Sequence, residues 1–388
     1  MQSISQFIKY VGAQDDTIDL FEGQYPVPGG ISYNSYFVAD TETAVIDSVD
    51  LRRTEDWLAA IERNVEETGS TPRYLIIQHV EPDHAGSVRH FIERYPEAKV
   101  VMTAKALAML DNFFEDVDFG PRHIIVGDGD TLTLGRTTLK FFTAPMVHWP
   151  EVMMTLSVAD RVLFSADAFG TFSMSNTLKG WDDEARRYYT NIVGRFGASV
   201  QAVMKKLAAL EFDIVAPLHG PALRDNLAHY WQLYDKWSRY EPETRGVLVA
   251  YASVYGGTAE AARRLASLLE EKGAEVMLID LCRHHVSYAV AMAFKYSHMA
   301  LCSITYDGDI MPAMNDFLHH LERKNLCNRT VGLIQNGTWA PTAARIMAQK
   351  LAQMKDMTVI EPTVTLRSRL HSADLNSLNI LATHLTES

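Results

Sequence analysis

Apolar residues fall in short, closely spaced blocks along the first two thirds of this chain, and most blocks end in a polar loop. Ile31–Ala39 and Ala44–Val49 flank a polar break at Asp40–Thr43, the pattern of two paired antiparallel strands. Helical spacing covers Arg53–Glu67, and Tyr74–Ile77 is an apolar run of buried-strand length. A helix is expected to open at His84–Ile92 with Ser87 as its cap. Lys99–Thr103 predicts a strand and Thr103–Phe114 a helix. Ile124–Val126 leads into the tight turn Gly127–Asp130, followed by strands at Thr131–Leu134 and Thr138–Thr143. Further strands are expected at Arg161–Ser165 and Phe212–Pro217, with helices at Ser199–Leu210 and Leu223–Tyr240. The polar stretch Glu241–Gly246 breaks the periodicity and places a domain boundary near 244, dividing the chain into 1–244 and 245–388.

The pattern then changes. Strands expected at Gly246–Ala252, Ala274–Asp280, Met299–Ile304 and Arg329–Ile334, with a last one near Thr358, alternate with helices, the first being Ala259–Lys272. Such a series implies a doubly wound parallel sheet that binds ligands at the C-terminal ends of its strands.

Composition narrows the classes. The chain has 388 residues, 47% of them hydrophobic and 22% charged, and a formal net charge of −12. That length allows two or three domains with large cores. The negative balance argues against nucleic acid, which wants a basic face. No apolar run reaches the length of a membrane span, and the N-terminus lacks a signal-peptide layout, so a cytoplasmic protein is expected. Cys282, Cys302 and Cys327 form no CxxC pair; free thiols in a reducing compartment fit them better than disulfides.

Candidate chemistry concentrates at strand ends. His79, Glu81, Asp83 and His84 lie within six residues, directly after the apolar run 74–77. Imidazole and carboxylate without sulfur suit iron, manganese or zinc. Three later strands also end in a Pro- or Gly-bearing loop that carries one such residue: His148, Asp167 and His219. A sheet edge would converge all four loops on one site. Trp149, Phe169 and Tyr189 are candidates for the walls of that pocket, with ordinary packing as the alternative. In the second half, Ser253, Val254, Tyr255, Gly256, Gly257 and Thr258 join a strand to a helix N-terminus, a phosphate cradle of backbone N–H groups and hydroxyls. With no Lys in the loop, a single terminal phosphate fits better than a triphosphate.

These motifs, in this order, resemble the metallo-β-lactamase fold followed by flavodoxin, and more narrowly the flavodiiron proteins, or A-type flavoproteins. The resemblance implies an α/β architecture: a metallo-β-lactamase-like αββα sandwich, then a flavodoxin-like doubly wound parallel sheet. Hydrolases of the superfamily carry HxHxDH and zinc, whereas here Glu81 stands in place of the second His, as in the flavodiiron pattern. The family implies His79, Glu81 and His148 on one iron, Asp83 and His219 on the other, and Asp167 bridging; His84 is a ligand in some members and a bystander in others. The interval from Asp167 to His219 is several residues shorter than usual, so Thr171–Asp183 is expected to shape the loop over the site differently. The second domain implies FMN, held by the 253–258 loop and by the strand ends Ser303, Thr305, Tyr306, Asp307, Gly308 and Asn336, Gly337, Thr338, Trp339. Tyr306 and Trp339 are the candidates to stack on the flavin ring.

The expected activity is reduction of O2 to water or NO to N2O at two non-haem irons, with electrons relayed by FMN. No rubredoxin module is present, so the chain looks like the minimal two-domain form, fed by a separate donor protein such as rubredoxin. The family also implies a head-to-tail homodimer, or a dimer of dimers. A zinc hydrolase with a flavodoxin tail and an FMN electron carrier with a vestigial metal site are the alternatives; metal analysis separates them.

Overall fold

The computed structural model describes residues 3–115, 117–174 and 177–387. They divide into two compact units, 1–189 with 198–234, and 190–197 with 235–388. The division falls inside the helix Leu227–Ser238, ahead of the polar break at 241–246. That break does not end structure, because the strand Thr244–Ala252 already starts within it.

The first unit is built on two sheets. One runs in the order Ile8–Tyr10, Tyr36–Val38, Thr43–Ile46, Pro72–Ile76, Lys99–Met102, His123–Ile125. The other runs Thr131–Thr133, Thr138–Thr143, Met153–Ser157, Val162–Phe164, Ile214–Ala216. Ile46, Ile76 and Val101 from the first meet Phe141, Met153 and Phe164 from the second in one buried cluster. Helices such as Thr54–Thr68 turn an apolar stripe inward, here Trp57, Ala60 and Ile61. This is the αββα sandwich.

Met153–Ser157 escaped the sequence reading, because all five residues are buried and show no alternation. It matters for function. It pairs antiparallel with Thr138–Thr143 and with Val162–Phe164, and the latter is parallel to Ile214–Ala216. Three strands therefore point the same way and finish at one edge. Ser87 is a second correction. The chain forms a short helix, Pro82–Ala85, and then Val88–Arg94, and Ser87 makes no side-chain cap. Its hydroxyl instead lies 2.7 Å from that of Thr54, where burial demands a partner.

The second unit holds a parallel sheet in the order Glu275–Asp280, Thr244–Ala252, Tyr296–Tyr306, Arg329–Asn336, Met357–Leu366. Apolar clusters lie on both faces, as double winding requires. Asp309–Ile310 pairs back on the end of Tyr296–Tyr306 through Asp307 and Gly308, both left-handed, the geometry of a tight hairpin turn. Among the described residues no helix is long and apolar enough to cross a membrane. The three cysteines are free; Cys302 is buried, Cys282 exposed and Cys327 between the two.

Arg329 is 2% exposed and sits in this unit without a carboxylate partner among its hydrogen bonds. Its guanidinium donates to the carbonyls of Tyr240, Ala293, Phe294, Cys327 and Asn328 at 2.9–3.0 Å. Burial pushes its pKa down to about 10. Replacing Arg329 with Met would strand these carbonyls. A loss of about 3 kcal/mol or more is expected, read by calorimetry in the melting transition of the second unit.

Candidate functional site

The strand ends deliver the seven predicted ligands to one place. Donor atoms of His79, Glu81, His148 and Asp167 lie within 4.8 Å of one another, and so do those of Asp83, His84 and His219. Asp167 faces both groups. Its Oδ2 is 3.3 Å from His79 Nε2 and 3.0 Å from His148 Nε2; its Oδ1 is 3.2 Å from His84 Nε2 and 3.7 Å from His219 Nε2. Glu81 Oε2 sits 3.2 Å from His79 Nε2 and 3.1 Å from His148 Nε2. Asp83 Oδ2 lies 3.3 and 3.2 Å from the Nε2 atoms of His84 and His219.

Most of these atoms are buried and lack aligned hydrogen bonds. Both oxygens of Asp83 and of Asp167, both nitrogens of His84, and Nε2 of His219 have no such partner. Orphaned donors of this kind are costly unless a cation completes them. The protonation pattern agrees. Burial opposes ionisation of Glu81 and Asp167, yet the imidazoles beside them hold both carboxyls well below the usual range. Burial likewise opposes protonation of His148, but Asp167 and Glu81 raise it to about 9. Protons hold the cluster together where a metal ion would displace them. The donor set fits two cations sharing one carboxylate.

Local backbone is bent to achieve this. Asp47, Met146 and Ala166 adopt left-handed φ of 53°, 65° and 50° beside the ligand loops. Such residues cost about 1–3 kcal/mol each and persist where packing overrules them. Gly220, after His219, has φ +77° and leaves no room for a side chain, since a Cβ would stand 2.0 Å from Thr171 Oγ1.

Other groups brace the loops. Asp47 Oδ1 accepts from the backbone N–H of Gln78 at 2.8 Å and of His79 at 3.4 Å, and Oδ2 from Gln78 Nε2 at 3.0 Å. Ser48 donates its hydroxyl to the carbonyl of His84 at 2.7 Å. Glu151 takes the Nδ1 side of His79 at 2.7 Å, and Ser32 O that of His219 at 2.7 Å. Asn34 Nδ2 donates to Pro217 O and Gly220 O, fixing the His219 turn.

Each of the three candidate wall residues has a ring neighbour. Trp149 lies edge-on to His79, with centroids 5.2 Å apart. Phe169 stacks on Tyr234 at 4.2 Å, and Tyr189 meets the same ring, so both have ring partners in the packed interior. Phe21, Tyr33 and Tyr188 hold ring contacts with His219 that no local pattern announces. Of the segment 171–183, Ser175 and Asn176 lie outside the described residues.

The second unit carries a separate cavity of about 670 Å³ at the strand ends. Ser253, Val254, Tyr255, Gly256, Gly257, Thr258, Asn336 and Thr338 line it, with Ile304 from the predicted 303–309 strand end, together with Glu260, Arg263, Ser368 and Arg369, which sequence reading missed. Ser303, Thr305, Tyr306, Asp307, Gly308, Gly337 and Trp339 are not among its lining residues. Thr305 Oγ1 instead accepts from the N–H groups of Thr342 and Ala343, anchoring the next helix. Trp339 is 87% exposed and Tyr255 98%.

A family profile described as ODP family beta lactamase matches residues 31–220. The chain is 30% identical to the type A flavoprotein fprA of Rhodobacter capsulatus, over 99% of its own length and 91% of that protein. The chain belongs to the type A flavoproteins. Another relative, named nitric oxide reductase, from Moorella thermoacetica, is 28% identical over 94% of the chain and 93% of its own length. Among solved structures, rubredoxin oxygen:oxidoreductase of Desulfovibrio gigas superposes with a TM-score of 0.91 at 25% identity, covering 99% of this chain and 97% of that one.

Asp47 should be the most sensitive of the residues bracing the 78–84 loop. Asp47→Ala leaves three buried N–H donors unpaired and is expected to destabilise the first unit by about 3 kcal/mol, measured from the midpoint of its thermal transition without added metal.

Proposed function

We propose that residues 1–244 hold a non-haem di-iron centre, that 245–388 bind FMN, and that the chain passes electrons from a donor protein through FMN to that centre. There O2 is reduced to water, or NO to N2O. The observation that carries this reading is Asp167, whose two oxygens face two separate groups of unsatisfied imidazole and carboxylate donors. His79, Glu81 and His148 would hold one iron, Asp83, His84 and His219 the other, with Asp167 between them. Bound there, the iron pair supplies the electrons and the open coordination positions that a diatomic gas requires. The carboxylates of Glu81, Asp83 and Asp167 offset the cations' charge. Trp149, Phe21 and Tyr188 keep bulk water from the imidazoles.

In the second unit, Ser253 Oγ accepts from the N–H groups of Gly256 and Ala259, which pre-forms the loop for a phosphate at the helix start. Arg263 and Arg369 bring positive charge to a loop that has none of its own, with Arg369 also facing Glu260 at 3.5 Å. Exposed Trp339 and Tyr306 are free to stack on an isoalloxazine ring. Rubredoxin is the donor that suits the Desulfovibrio gigas relative's name. A cytoplasmic, head-to-tail homodimer completes the proposal, pairing each flavin with its partner's irons. The zinc hydrolase alternative has no observation in its favour, since the relatives reported above carry redox names.

The deciding experiment reduces the protein anaerobically with a rubredoxin system and follows O2 and NO on separate electrodes. Rapid consumption of either gas is expected. Consumption of neither, with the flavin fully reduced, would sink the di-iron reading.

Two variants dissect the units. His79→Asn should lose iron and gas consumption while keeping its flavin, by metal analysis and absorbance; loss of flavin as well would mean the sites are not modular. Gly257→Ala should do the reverse. A Cβ there meets the carbonyl of Ser368 at 2.0 Å, so the cavity must open. FMN binding is expected to weaken at least about tenfold, equivalent to about 1.4 kcal/mol, with iron content unchanged.

A further inference from the structure

Glu151 is no member of the ligand set, yet it is 2% exposed and points at it. Its Oε1 accepts from His79 Nδ1 at 2.7 Å and from the Val80 backbone N–H at 3.1 Å. A carboxylate oxygen only accepts, so the ring nitrogen facing it is a protonated one, and His79 Nε2 is the nitrogen turned toward Glu81 and Asp167. Glu151 Oε2 has no hydrogen-bond partner. The carboxylate's charge is therefore spent on one imidazole and one amide.

The other group of donors has no carboxylate hydrogen-bonded behind its imidazoles, although the charge of buried Asp47 reaches His84 without one. His219 Nδ1 faces a neutral carbonyl, Ser32 O, at 2.7 Å. His84 Nδ1 has no hydrogen-bond partner at all. A carboxylate behind an imidazole orients the ring and makes its far nitrogen a stronger donor; a carbonyl does so less, and an unpartnered nitrogen not at all.

We infer that Glu151 is a positioning residue that makes the two metal positions unequal, so that the cation on the His79, Glu81 and His148 side is held more tightly than its neighbour. This rests on the two-metal reading proposed above, but not on iron or on gas reduction. The asymmetry is built before any substrate arrives. It gives the pair one firmly anchored ion and one whose coordination is easier to rearrange.

Cobalt(II) alone is the probe, titrated into the chelator-stripped full chain and followed by its visible absorption and by calorimetry. The parent chain should bind two ions in two resolved steps. In Glu151→Gln, which keeps the shape and an acceptor oxygen but removes the charge, the tighter step should weaken about 10–100-fold and its absorption bands shift. The weaker step should change less than the tighter one, with Asp167, which faces both groups, as the only carboxylate that passes the change on. Glu151→Asp, which keeps the charge on a shorter arm, should recover part of the loss. Equal affinities in the parent, or a Glu151→Gln titration identical to it, would overturn the inference. So would a Glu151→Asp variant as weak as Glu151→Gln; and if Glu151→Gln fails to fold, a tighter step left unchanged in Glu151→Asp overturns the inference on its own. No cobalt bound by the parent chain would overturn the two-metal reading itself.

Discussion

The first unit is governed by a charge problem. Glu81, Asp83 and Asp167 crowd against four imidazoles in a buried pocket, and no Lys or Arg ion pair reaches these carboxylates among the described residues. Removing charged groups from water costs several kcal/mol per ion unless something compensates. A lone carboxylate would simply take up a proton. A ring of alternating imidazole and carboxylate shares protons poorly and cations well. Much of the surrounding structure serves to hold this costly arrangement still: left-handed bends before the ligands, Asp47 and Glu151 under the first loop, Asn34 across the last.

Sheet direction explains how distant stretches of sequence meet there. A strand end is a fixed address, because its hydrogen-bonded neighbours fix its height and heading. Three strands of the second sheet that end in candidate ligands share one heading only because Met153–Ser157 runs against two of them. The first sheet contributes its loop from the strand Pro72–Ile76, and the backbone N–H of Met153 donates to the carbonyl of Gln78 across the gap. The site is thus a property of two packed sheets, not of any one motif.

Much of this was legible beforehand. Candidate ligands such as His148 and His219 stood out because each follows an apolar run and sits beside Pro or Gly, a local pattern. The alternation of strands and helices after 246 was equally local. What stayed hidden depends on partners far away in the chain. Glu151 reads as one more acid after Pro150, until the fold sets it behind His79, 72 residues away. Ser368 and Arg369 follow an edge strand and line the cavity at the strand ends, where Asn336 clamps the Ser368 backbone. Met153–Ser157 hides because burial on both faces erases the two-residue rhythm. Ser87 misled for a related reason: a hydroxyl at a helix start has two possible uses, and Thr54 was nearer.

Arg329 shows a different economy. All five of its acceptors are main-chain carbonyls, belonging to Tyr240, Ala293, Phe294, Cys327 and Asn328. Every amino acid supplies that group. The side chains at those five positions can therefore drift without loosening the knot, provided the backbone keeps its path, while position 329 has no substitute, since no other residue offers five donors in a planar fork. In related chains, mutational tolerance around this point should be lopsided: one fixed residue surrounded by variable ones, an imprint that a search for co-varying pairs would pass over.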